Sequence, residues 1–72
     1  MEDKEKMEFV VFCIENVAER LNMDGSKVYD ALTEKSHIIT SYIIPNYDVL
    51  HTQGKEYIVD DVIDVMKEAG VC

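Results

Sequence analysis

Apolar residues recur at helical spacing through most of the chain, in stretches separated by short runs of turn-forming residues. Over residues 7–21, Met7, Val10, Val11, Ile14, Val17, Ala18 and Leu21 fall on one face, with Glu8, Glu15 and Glu19 on the other. At about 100° per residue, Phe12 points among the glutamates and Phe9 lies between Phe12 and Cys13. The pattern therefore predicts one core face and a second apolar stripe, Phe9, Phe12 and Cys13, turned away from it. A short chain has little material to cover both sides of its longest helix, so Phe9 and Phe12 are candidate interface residues. The alternative is a second element of the same chain wrapped over that side.

Residues 22–26, Asn-Met-Asp-Gly-Ser, form a turn with capping chemistry, in which the side chain of Asp24 or Ser26 can accept from the first amides of a second helix. That helix runs through Val28, Tyr29, Ala31 and Leu32 to about Lys35. A third segment over 37–50 is rich in β-branched residues, and 38–44 could pass for a strand. A lone strand leaves its backbone groups unpaired and no partner strand is convincing, so the segment is expected to be helical. Pro45 removes an amide and disfavours helical angles at Ile44, which predicts a kink or restart there. Thr52-Gln53-Gly54 breaks the chain again, with Thr52 or Gly54 as the next cap.

The last helix has the cleanest division. Ile58, Val59, Val62, Ile63, Val65, Met66 and Ala69 cover one arc. Glu56, Asp60, Asp64 and Glu68 repeat every four residues on the opposite arc, joined by Asp61, and Gly70 caps the end. Like charges at this spacing cost roughly 0.2–0.5 kcal/mol each in an isolated helix. Such a ladder is usually a solvated face; its less common use is to receive a basic partner. Tyr57 sits within the acidic arc, where it can pack on its own helix start or anchor an interface.

Composition narrows the classes. The 72 residues allow a single domain, 1–72, with a small core. With 15 acids against 7 lysines and arginines, the net charge is −8, which weighs against nucleic acid and anionic membranes. A run of apolar residues long enough to span a bilayer is missing, the start is not signal-like, and Cys13 and Cys72 are poorly placed to pair. The expectation is a cytoplasmic protein with free thiols.

Chemistry is sparse. His37 and His51 lie in no catalytic motif, and Ser36 beside His37 in sequence does not place hydroxyl against ring. His51 reads as a helix-end residue bonded to backbone or to Asp48. No Cys/His spacing suits a metal and no glycine-rich loop suits a phosphate, so no cofactor, metal or catalytic residue is expected. Ala18, Asn22 and Val28 do fall at helix-turn-helix spacing, with Leu21 and Met23 as flanking core positions. The would-be reading helix carries Lys27 and Lys35 against Asp30 and Glu34, and offers no arginine or asparagine for base edges.

The run Tyr47-x-x-Leu50-His51-Thr52-Gln53-Gly54-x-Glu56-Tyr57-Ile58-Val59-x-Asp61 resembles a family of short bacterial proteins catalogued as a domain of unknown function. The segments 9–15 and Val28-Tyr29-x-x-Leu32 are similar to it too, while Pro45 departs from its pattern. The resemblance implies a small helical domain without an assigned activity. It further implies a genomic setting near toxin-like or ADP-ribosyltransferase-like genes, hence an accessory or antitoxin-like role. His51, Thr52, Gln53 and Tyr57 are the positions it singles out.

Together these readings predict an all-α domain, orthogonal or bundle-like, of about four helices, with a helix-turn-helix-like corner between the first two. The expected function is a non-enzymatic interaction module, pairing with itself or with another cytosolic protein that has a basic surface. A helix-turn-helix DNA-binding regulator is the first alternative and an enzyme of unrecognised class the second. Candidate contact residues are Phe9, Phe12, His51, Thr52, Gln53, Tyr57, Glu56, Asp60, Asp64 and Glu68.

Overall fold

The computed structural model describes residues 2–71, with side chains from Lys4 onward, and the regular elements among those residues are all helical, with no strand. Helix α1 (Glu2–Leu21) is followed by α2 (Gly25–Thr33), a π-helical turn (Ile39–Ile43), α3 (Tyr47–Leu50) and α4 (Lys55–Glu68). At a rise of about 1.5 Å per residue, 20 residues make α1 roughly 30 Å long. That matches the longest dimension of the molecule, 30 Å, so α1 is its spine. Val17, Val28, Leu32, Ile43, Val62 and Met66 form the fully enclosed centre, drawn from α1, α2, the π turn and α4.

Two helices end in the same way. Asn22 adopts φ 56°, the Met23 amide donates to the Ala18 carbonyl at 2.9 Å, and the Asn22 amide donates to Glu19 at 3.2 Å. At the far end of the chain Gly70 adopts φ 76°, Val71 donates to Met66 at 3.0 Å, and Gly70 donates to Lys67 at 3.1 Å. Both are Schellman ends, in which a left-handed residue turns two amides back onto unpaired carbonyls. The helix starts meet the expectation in part. Gly54 is the cap residue of α4, its carbonyl accepting from the Ile58 amide at 3.0 Å, whereas Asp24 precedes α2 without a side-chain cap. The Asp24 carbonyl accepts from Lys27 and Val28, while the Thr52 hydroxyl turns back to Val49 at 2.7 Å.

The third segment is helical, as expected, but divides into two pieces around Pro45. The Ile44 amide donates to Ile39, five residues back, at 2.9 Å. Proline has no amide with which to continue, and its ring crowds the carbonyl four residues earlier, so the wider turn ends there. Asn46 re-anchors the chain through its backbone and side-chain nitrogens, both on the Tyr42 carbonyl, at 3.1 and 2.8 Å. The single turn of α3 then restarts at Tyr47.

The face of α1 is where the expectation fails. Phe9, Val10, Cys13, Val17 and Ala18 are buried, whereas Met7 and Val11, assigned to the core by periodicity, are 56% and 48% exposed. Phe9 and Cys13 belong to the core of their own chain. The buried arc is rotated because α3 and α4 supply the covering that a separate partner was expected to supply. Met7, Val11, Ile14 and Ala18 show how the cover runs out. They follow one stripe, buried at Ala18, half-buried at Ile14 beside the start of α2, and open at Val11 and Met7. The apolar arc of α4 holds at Ile58, Val59, Val62, Ile63 and Met66, with Val65 half-buried, while Ala69, just past the helix end, is exposed.

Candidate interaction face

Tyr47 places the aromatic residues. Its ring meets the Phe9 ring edge-on at 5.4 Å, and Phe9 in turn stacks on Phe12 at 6.0 Å. On the other side the Tyr47 ring lies against the His51 ring at 4.4 Å with 7° between the planes. A continuous aromatic tier, Phe12, Phe9, Tyr47 and His51, therefore joins α1 to α3. The offset and edge-on arrangements suit the ring quadrupoles. His51 is held from below as well, its Nδ1–H donating to the Tyr47 carbonyl at 2.7 Å. Of the two partners expected for His51, backbone and Asp48, the structure uses the backbone.

Beside the tier, on the outer side of α1, lies a shallow groove lined by Lys4, Met7, Glu8, Val11, Phe12 and Glu15, mostly apolar in surface. Phe12 is its half-buried floor, and Met7 and Val11 are its open walls. Of the proposed stripe, then, Phe12 lines an accessible face and Phe9 does not. Met7 and Val11 were missed because periodicity placed them inside. The available signal was the row Lys4, Glu8, Val11 and Glu15, in which a branched apolar residue sits in an otherwise charged line.

The acidic ladder is exposed at Glu56, Asp60, Asp64 and Glu68. Asp60 already has a cation within the chain, Arg20 of α1, and this pair borders a second groove that includes Asp64 and Lys67. Asp61 leaves the ladder. It is half-buried and accepts from the Tyr42 hydroxyl, tying the π turn to α4. That hydrogen bond, with burial and the nearby carboxylate charge, pushes the Tyr42 hydroxyl up to about 12. Tyr57 stands 57% exposed at the start of α4, and Thr52 and Gln53 are exposed in the turn before it. The structure does not bring these three against the groove of α1.

Cys13 is a buried free thiol, held up at about 12 by loss of hydration, which keeps it protonated and inert. Cys72 lies outside the described residues. Among those residues no group of three histidine, cysteine or acidic side chains is arranged to hold a metal ion. None of the described helices is long and apolar enough to cross a membrane.

Such a domain, all-helical with an uncovered strip on its longest helix, can be placed by comparison with known families. Residues 8–69 match the family described as "Protein of unknown function (DUF3791)", and the chain belongs to that family. The match spans all of the helical core from Phe9 to Met66. Neither a curated protein nor a solved structure matches the chain.

Proposed function

We propose that this chain is a non-enzymatic protein–protein interaction module, an accessory protein of a bacterial cytoplasm with an antitoxin-like role, and that it docks through the outer face of α1. One observation carries the reading: Met7 and Val11 stay open beside Phe12, on a stripe that the rest of the domain buries as far as Ala18. Contiguous apolar surface left uncovered beside a well-filled core marks a contact site more often than scattered exposed residues do. The test is affinity capture from an extract of the source cells, using wild type, Val11→Glu and, as a control, Tyr29→Glu at another exposed site. A protein retained by wild type and the control but lost with Val11→Glu is the expected result. Retention indifferent to Val11→Glu overturns the assignment of this face.

The helix-turn-helix alternative has support at the corner, where Ala18 and Val28 are buried and Asn22 takes the left-handed conformation. Against it, the exposed surface of α2 offers Lys27 together with Asp30, on a chain of net charge −8. Retention of random-sequence DNA in a low-salt mobility shift would favour the regulator; no retention favours the interaction module.

A further inference from the structure

We infer that the outer stripe of α1 pairs antiparallel with the same stripe of a second copy, Lys4 of each facing Glu15 of the other. This rests on the reading of α1 as the docking face and adds its occupant. The six residues lining the groove are symmetric along the helix about the point between Phe9 and Val10. Lys4 lies as far before that point as Glu15 lies after it, Met7 as far as Phe12, and Glu8 as far as Val11. At about 1.5 Å per residue, Lys4 and Glu15 each stand roughly 8 Å from the midpoint. A copy related by a two-fold axis through that point brings Lys4 level with the other copy's Glu15 at both ends. It also sets each Val11 level with the other copy's Glu8 nearest the axis, and each Met7 level with the other copy's Phe12 on either side. Parallel pairing would instead oppose lysine with lysine and glutamate with glutamate.

The order of charges is also the reason for choosing a second copy over a basic partner. A basic partner suits a uniformly acidic face, and in this molecule that is the ladder on α4. The α1 stripe carries a cation at one end and an anion at the other, an arrangement that its own reversed copy satisfies. An interface of this kind is isologous, each contact occurring twice. Glu8 works against it, because the two-fold axis sets its carboxylate against the other copy's Val11 and near the other Glu8. The pairing is therefore weak, and Glu8 supplies a gain-of-function test.

The experiment is sedimentation equilibrium of the full chain in physiological salt, where a Debye length of about 8 Å screens the repulsion between two acidic molecules. Wild type is expected to show a monomer–dimer equilibrium below about 1 mM, the range of a weak complex. Val11→Glu is expected to be a folded monomer by circular dichroism. Lys4→Glu and Glu15→Lys should each weaken the dimer by about tenfold, since each turns two attractive exposed pairs into repulsive ones. The double variant Lys4→Glu/Glu15→Lys should regain most of the loss, and Glu8→Gln should tighten the dimer. These charge variants lie at exposed positions, so they keep the test valid should Val11→Glu fail to fold. A wild type that stays monomeric up to about 1 mM overturns the pairing, as does a dimer that the charge swap neither weakens nor rescues. A monomeric wild type whose capture of a different protein still depends on Val11 sinks the second copy while leaving the docking face standing.

Discussion

Tyr47 opens α3 and His51 caps its end, their rings stacked at 4.4 Å while the His51 ring donates to the Tyr47 carbonyl at 2.7 Å. The helix is four residues long and could not persist by itself, so it depends on this pair and on Tyr47 against Phe9. His51→Ala should lower stability by about 1 kcal/mol in urea unfolding, the usual cost of losing one such hydrogen bond. Partner binding should survive. Unchanged unfolding with abolished binding would instead make His51 a contact residue.

The rotated face of α1 predicts opposite outcomes at neighbouring positions. Phe9→Ala removes a buried ring and should cost about 3 kcal/mol, a large share of what a domain this small has. Val11→Ala trims an exposed side chain and should stay within about 0.5 kcal/mol. Chemical denaturation of the two variants decides the matter; equal losses would mean that both sides of the helix are covered.

On α4, Asp64→Lys should be neutral or slightly stabilising, because it relieves repulsion from Asp60 and Glu68 one turn to either side. The Arg20–Asp60 pair is well exposed, its side chains 40% and 62% accessible, so a double-mutant cycle should give less than about 1 kcal/mol. Thermal melts at low and high salt measure both. A ladder that docks a basic partner would show slower association for Asp64→Lys with the fold intact.

Alkaline pH should weaken the fold through Cys13. Its thiol titrates near 9 when unfolded and is pushed up to about 12 in the folded chain by burial. A raised acid contributes its full stability below the unfolded value and loses it as pH climbs toward the folded one. Stability should therefore fall from about pH 9 upward, by at most about 1.4 kcal/mol per pH unit from this group. Cys13→Ala should flatten that part of the profile. Urea midpoints for both proteins between pH 8 and 10.5 make the comparison, and parallel curves would exclude the thiol as the cause.

The existence and approximate span of α1, α2 and α4, the break at Pro45 and the cap at Gly70 were all legible along the chain. They depend on interactions within a few residues: apolar spacing, a missing proline amide, a glycine free to take positive φ. The inner face of α4 was legible for the same reason, since its acids leave a single arc free. The exposed ladder and the backbone partner of His51 were also within reach, though the sequence left each beside an alternative.

Which side of α1 faces inward was settled only by the assembled chain. Apolar residues occupy too much of its circumference for a period of 3.6 to choose reliably among them, and it put Met7 in the core and Phe9 outside, the reverse of the folded chain. The choice came from distant segments. Tyr47 closes over Phe9 from 38 positions along the chain, Asp60 reaches Arg20 across 40, and Tyr42 bonds Asp61 across 19. Such pairs form where packing the whole set of helices buries the most apolar surface at once, a condition on three-dimensional fit that the order of residues along one helix does not express. The same fit leaves Met7 and Val11 beyond the reach of α2, and so determines where a candidate partner can dock.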